Sequence, residues 1–179
     1  MADRELTGIL LAGGASRRFG SPKALASFEG ETLAERAWRL LGEVCAERIA
    51  VGRLEGFPFP TLGDAGTGPV AAIAAGLRAA SHDVAVVIPV DMPLLTSGGL
   101  RLLAEACREA AVAQEGPLPC AVARRTLPAF QAGERRLRTV LAGLDTAEVE
   151  LDHAVLANVN EPADLRRIAG SEVTNEGDT

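Results

Sequence analysis

The sequence predicts a three-layer α/β protein, a mostly parallel sheet with helices on both faces. Short apolar runs alternate with segments of helical spacing along the chain, the pattern of strand-helix units. The hydrophobic content is 47% with only 3% aromatic and no tyrosine, so the core is one of Ala, Val, Leu and Ile, which suits strands buried on both faces. The 179 residues fit one domain with a sizeable core and leave no room for a second catalytic module.

Residues 7–12 are apolar and bounded by glycines, a buried first strand that enters a glycine turn. Thr32 and Glu35 form a capping box ahead of Leu33, Ala37, Leu40, Leu41 and Val44 at helical spacing. Residues 48–52 read as a second strand. A Pro/Gly-rich stretch follows from Gly56 and leads to Gly68-Pro69, where Pro69 suits the first turn of a helix that is apolar on nearly every side and therefore buried. Residues 83–90 are a Val/Ile-rich strand. Thr96 or Ser97 then caps a helix whose buried face uses Leu100, Leu103, Ala104 and Cys107. The second half is less regular, with a strand near 119–124, a helix around 134–141, short strands around Val149 and Val155, and a last helix opened by Pro162 and running to about Ala169. Residues 1–169 are expected to form a single domain, and the polar, charged residues 170–179 a disordered tail.

The formal charge of −6 excludes a general nucleic-acid binder, because phosphate-backbone affinity needs an excess of Lys and Arg. Cys45, Cys107 and Cys120 are odd in number and far apart, which suggests neither a disulfide framework nor a zinc site; they read as reduced, mostly buried thiols. The first residues are charged before a short apolar stretch and lack the features of a signal peptide, and the run 84–90 is far too short to span a bilayer. A cytoplasmic protein without membrane contact is expected.

The most informative segment is ILLAGGASRRFGSPKAL, residues 9–25. It joins the first strand to a turn that presents Ser16, Arg17, Arg18 and Lys23. Adjacent Gly13 and Gly14 let the backbone approach a bound group and aim N–H groups at it, while the cations neutralise a polyanion. That is the chemistry of a triphosphate pocket. Neither the Walker A spacing nor G-x-G-x-x-G is present. The carboxylate of Asp91, placed directly after an apolar strand and before Met92-Pro93, is costly there unless it meets a cation such as magnesium, which takes one or two carboxylates plus phosphate oxygens and waters. A turn-forming or helix-capping aspartate is the alternative.

The segment resembles the signature L-A-G-G-x-S-x-R-[MF]-G-x-x-K of the molybdenum cofactor guanylyltransferases, within the nucleotidyltransferase superfamily. Arg18 and Lys23 fall on its fixed Arg and Lys. Asp91 matches the family's metal-binding Asp in a D-x-P motif, and Asp64 with Gly68-Pro69 resembles a segment of its nucleotide site. Asn158-Val159-Asn160-Glu161-Pro162 is similar to the family's N-V-N-[TE]-P close, a region of the acceptor side or the metal surroundings, although Asn160 also reads as a plausible helix N-cap. Arg135 and Arg136 match a patch near the acceptor, and a solvated helix face explains them equally well. The four patches occur in the family's order from residue 7 to about 168.

The resemblance implies a Rossmann-like nucleotidyltransferase fold with a mixed sheet. It further implies a nucleotide site running from Leu11, Ala12, Gly13 and Gly14 through Ser16, Arg18 and Lys23 to Gly52, Asp64, Gly68, Pro69, Asp91, Asn158 and Asn160. Arg18, Lys23 and Asp91 are its catalytic residues, and Asp91 is its metal ligand. The implied reaction is magnesium-dependent transfer of GMP from GTP to the terminal phosphate of molybdenum-molybdopterin. GTP and molybdopterin are then the small-molecule partners, molybdoenzymes or other cofactor-biosynthesis proteins the macromolecular ones, and the chain a monomer or weak oligomer. Two departures keep related readings open. Pro22 precedes Lys23 where many guanylyltransferases have Asp, and Gly52 stands where some members have an Asn that helps bind the nucleotide. A cytidylyltransferase for the same cofactor or a sugar-phosphate nucleotidyltransferase keeps the pocket; a non-catalytic nucleotide-binding partner of a molybdoenzyme would need no turnover.

Overall fold

The computed structural model describes residues 5–13, 23–52, 59, 61–63 and 68–172, with 170–172 described by backbone alone. In chain order the elements are β1 (Leu6–Leu11), a hairpin of β2 (Ser27–Phe28) and β3 (Glu31–Thr32), α1 (Leu33–Gly42), β4 (Glu47–Val51), β5 (Thr61–Leu62), α2 (Pro69–Ala79), β6 (Val84–Pro89), α3 (Ser97–Ala106), β7 (Ala110–Ala113), β8 (Cys120–Ala123), α4 (Leu127–Gln131), α5 (Leu137–Ala142), β9 (Thr146–Val149) and α6 (Pro162–Glu172). The main sheet has seven strands in the order β5-β4-β1-β6-β8-β7-β9. Its pairs are parallel except the two that involve β8. The expected mostly parallel, mixed sheet is therefore present.

β1 and β6 lie side by side at the centre and read LTGILL and VAVVIP, continuous apolar runs buried on both faces. One core packs α1 and α3 against one face through Leu40, Leu41, Leu100 and Leu103. A second packs α2, α4 and α5 against the other through Ile73, Leu77, Phe130 and Val140. A small third core gathers Phe28, Leu33, Val159 and Ile168, tying the hairpin to α6.

The predicted helix signals act as expected. At α1 the Thr32 hydroxyl accepts from the Glu35 amide at 3.2 Å while the Glu35 carboxylate accepts from the Thr32 amide at 2.8 Å, a reciprocal cap that contributes about 1 kcal/mol. Of the two candidate caps for α3 it is Thr96 that acts, accepting from the Gly99 amide. Cys45, Cys107 and Cys120 are buried thiols; burial pushes the Cys45 thiol up to about 12 and raises Cys120 as well.

Four differences from the sequence expectation have local causes. Val155 lies in a 3-10 turn, His153–Leu156, and not in a strand, because the Asp152 carboxylate accepts from the Ala154 amide and starts the turn. The helix expected at 134–141 begins at Leu137, since the Glu134 carboxylate binds the amides of Arg135 and Arg136 and holds them outside it. Val44 falls past the end of α1, whose C-cap is Glu43. The last helix runs to Glu172 instead of closing near Ala169. Residues 173–179, the greater part of the expected tail, lie outside the described residues.

At the amino-terminal edge of the sheet the polar groups satisfy one another. Glu47 accepts from the fully buried Thr7 hydroxyl at 2.7 Å, the Ser81 amide at 2.8 Å and the Ser81 hydroxyl at 2.9 Å. Burial alone would raise the Glu47 carboxyl, but the Ser81 amide and the two hydroxyls more than offset it and leave it below the usual carboxylate value. Among the described residues no helix is long and apolar enough to cross a membrane.

Candidate active site

The parallel strands β1, β4 and β6 end on one edge, where an open α/β sheet leaves its binding crevice. β1 delivers Leu11, Ala12 and Gly13 there. The side chains of Leu11 and Ala12 are buried, so they offer a ligand main chain only, and Gly13 is exposed. Two bonds clamp this exit: the Ala12 amide donates to Val51 and the Val90 amide to Leu11. Gly52, at the end of β4, has φ 129°, and a Cβ there would sit 2.5 Å from the Gly13 nitrogen and 2.8 Å from the Ala12 carbonyl carbon. Only glycine lets the two chains approach this closely. Gly52 thus shapes the entry to the signature turn, and the absence of a side chain follows from that packing.

Lys23 opens a 3-10 turn, Lys23–Leu25, held by an Ala26 amide bond to the Lys23 carbonyl at 3.0 Å. Its neighbour Ala24 is buried in the core that holds α1, which fixes the base of the lysine. Asp91 follows β6 in the turn Asp91-Met92-Pro93. Met92 is buried, the Val159 amide donates to the Asp91 carbonyl at 2.8 Å, and Arg36 Nε donates to the Pro93 carbonyl at 2.7 Å. From these two anchors, 68 positions apart in sequence, Lys23 Nζ reaches Asp91 Oδ2 at 3.1 Å. The side chains are 16% and 27% exposed, so the pair sits at the mouth of the crevice and not beneath it. A carboxylate so placed is an acceptor-only oxygen donor, suited to a hard cation, beside an ammonium suited to a phosphate oxygen.

Gly68 and Pro69 are exposed at the start of α2, which presents its N-terminus on this same edge, following β5, itself parallel to β4. Asn158 and Asn160 are exposed on either side of Val159, which is fully buried and bonded to the Asp91 carbonyl. The two asparagines are therefore brought beside the Asp91 turn. Asn160 is not the N-cap of α6: the helix starts at Pro162, and the Asp164 carboxylate takes the amides of Asn160 and Glu161 at 2.8 and 3.0 Å, bonds that lower its carboxyl below the usual value. Arg135 and Arg136 are exposed ahead of α5. Gly14, Ser16, Arg17, Arg18, Pro22 and Asp64 lie outside the described residues.

Arg36 is the residue that the sequence reading passed over. It falls three residues after Leu33 and four before Leu40, on the edge of the apolar stripe of α1, and an arginine at such a position has to find partners. Besides Pro93 it binds Glu29 at 2.9 Å and Glu31 at 3.4 Å, and it lies over the Phe28 ring at 5.1 Å.

The parallel-centred sheet brings a lysine and an aspartate together at the strand ends, and sequence comparison shows the class to be a nucleotidyltransferase. The chain belongs to the MobA-like NTP transferase domain family, whose sequence model matches residues 8–152. The probable molybdenum cofactor guanylyltransferase of Deinococcus radiodurans is 34% identical, with 92% of this chain and 94% of that protein covered. Among solved structures, a nucleotidyl transferase from Methanothermobacter thermautotroptrophicus superposes with a TM-score of 0.81 at 20% identity, covering 96% of this chain and 99% of that one. Molybdopterin-guanine dinucleotide biosynthesis protein A from Archaeoglobus fulgidus gives 0.77 at 22% identity, covering 94% and 99%. At these identities the two structures bear on the fold, while the sequence matches bear on the family.

Proposed function

We propose that the chain transfers GMP from GTP to the terminal phosphate of molybdenum-molybdopterin, releasing pyrophosphate, with residues 1–169 acting as one catalytic unit. The observation that carries this reading is the Lys23–Asp91 pair at the mouth of the crevice, 3.1 Å apart. The choice of guanine and of the pterin acceptor draws support from the name of the 34% identical relative.

The donor set fits the magnesium ion that the family implies. Asp91 offers a partly exposed carboxylate, which suits an ion that takes one or two carboxylates and completes its shell with phosphate oxygens and water. Asp91 would hold it, and when bound it neutralises charge on the phosphates. Lys23 binds the triphosphate beside it, joined by main-chain amides of the Gly13-Gly14 turn and by Ser16 and Arg18. The Asp64 and Gly68-Pro69 segments take the nucleoside, with Gly52 keeping the wall beneath it narrow. Asn158 and Asn160 bind and orient the acceptor. The acceptor phosphate is already an anion, so no protein nucleophile is needed: its oxygen bonds to the α-phosphorus of GTP as the bond to the β-phosphate oxygen breaks. The protein's task is to align two repelling anions and to stabilise the charge on the departing pyrophosphate.

Thermal stabilisation by GTP, CTP, ATP and UTP, each with and without magnesium, tests the nucleotide, because a ligand selective for the folded state raises apparent stability by mass action. Selective stabilisation by GTP with magnesium, together with pyrophosphate release when molybdopterin is added, is the expected result. A preference for CTP would replace the guanylyl assignment, and binding without turnover would replace the enzyme with a nucleotide-binding partner.

A further inference from the structure

We infer that Arg36 is a positioning residue that sets the distance between Lys23 and Asp91, an inference that rests on the proposed transfer site. The guanidinium is 22% exposed and divides its donors between two segments. Nε donates to the Pro93 carbonyl at 2.7 Å, and Nη1 holds Glu29 and Glu31 of the hairpin. That hairpin begins two residues after the 3-10 turn of Lys23, and the Leu33 amide closes it onto the Ala26 carbonyl at 2.9 Å. A single planar side chain on α1 thereby ties the segment that carries the lysine to the turn that carries the aspartate.

The Asp91 turn is held at both ends: the Val159 amide donates to the Asp91 carbonyl, and Arg36 donates to the Pro93 carbonyl. Removing one tether lets the turn pivot about the other, which moves the carboxylate relative to Lys23 Nζ. The surface ion pairs alone would contribute little. The bond to Pro93 differs, because it fixes main chain two residues from the Asp91 carboxylate, and outer contacts that orient a metal ligand typically carry ten- to a hundredfold in metal affinity or activity. Lysine cannot replace it: an ammonium is a point donor and cannot span Pro93 and the glutamates as a fork does.

The test uses full-length Arg36→Ala and Arg36→Lys, the second retaining the charge that the glutamates pair with so that folding is preserved. Arg39→Ala is the control, since Arg39 pairs with Glu31 and Glu43 on the outer side of the same helix. Two quantities are read: the magnesium concentration that half-saturates pyrophosphate release, and amide hydrogen exchange of the ligand-free protein. Both Arg36 variants should raise the magnesium requirement about tenfold or more and speed exchange at residues 91–95 and at Val159, with β1 and β6 unchanged and Arg39→Ala like wild type. The inference is overturned if the magnesium requirement does not move in an active background, or if exchange at 91–95 is unchanged or rises equally in β1 and β6. Should the wild-type protein itself release no pyrophosphate, the proposed reaction fails, and the exchange pattern still decides the role of Arg36.

Discussion

The two edges of the sheet treat their carboxylates in opposite ways. At the amino-terminal edge Glu47 accepts three hydrogen bonds from Thr7 and Ser81, so its capacity is taken up inside the protein. At the carboxyl-terminal edge, among the described residues, the Asp91 carboxylate accepts from Lys23, which leaves lone pairs open at the mouth of the crevice. A carboxylate whose bonds are internal stabilises the fold; under the proposed function the part-bonded one is left to meet a ligand. Strand polarity sorts them, because the turns that follow the strands lie on the second edge.

The largest expected effect breaks the carboxyl-terminal edge. Asp91→Asn and Lys23→Ala should each lower transfer about a hundredfold or more, the cost of one preorganised charged group, while the melting temperature stays near wild type. Steady-state pyrophosphate release and a thermal melt check both halves, and wild-type turnover in either variant would remove the residue from the mechanism.

Gly52→Ala should follow. Its new methyl would press on the Gly13 nitrogen at 2.5 Å in a backbone conformation that favours glycine, so a loss of about 1–3 kcal/mol is expected together with weaker nucleotide binding. Denaturant unfolding and nucleotide titration would show the two together.

Glu47→Gln breaks the other edge and should leave transfer per folded molecule unchanged while costing about 1–2 kcal/mol. It also has a pH signature. The folded carboxyl lies below the unfolded value of 4.5, so its stabilisation is complete above that value and fades as the pH falls through the folded value. The acid leg of a stability-pH curve should therefore be shallower in Glu47→Gln than in wild type, and parallel curves would refute the assignment. The smallest change is Asn158→Ala, expected to raise the half-saturating acceptor concentration about fivefold, the equivalent of roughly one hydrogen bond, without moving that for GTP.

Much of this architecture was legible in the chain because the signals were local. The continuous apolar runs of β1 and β6, the Thr32–Glu35 box and the Pro69 helix start each need only a few neighbouring residues to act. The elements not anticipated carry little pattern of their own and exist through their pairing. β7 reads AAVA, an alanine-rich run with no strand pattern of its own, and it is a strand because β8 and β9 flank it. β5 is two residues long and exists through its pairing with β4. In the candidate site, Lys23 was singled out by the charged glycine turn and Asp91 by a carboxylate placed directly after an apolar strand. Arg36 was not, since its role lies in a bond to the Pro93 carbonyl 57 positions away, which no helical spacing reveals.

Under the proposed function Lys23 and Asp91 grip one and the same metal-complexed triphosphate. A double-mutant cycle tests it: calorimetric titration of the unreactive analogue guanosine 5′-(α,β-methylene)triphosphate with magnesium into wild type, Lys23→Ala, Asp91→Asn and the double variant. Each single change should weaken binding, and the double variant should lose clearly less than the sum of the two. Losses that add to within about 0.5 kcal/mol, or affinities equal to wild type, would place the two residues in separate roles and contradict the account.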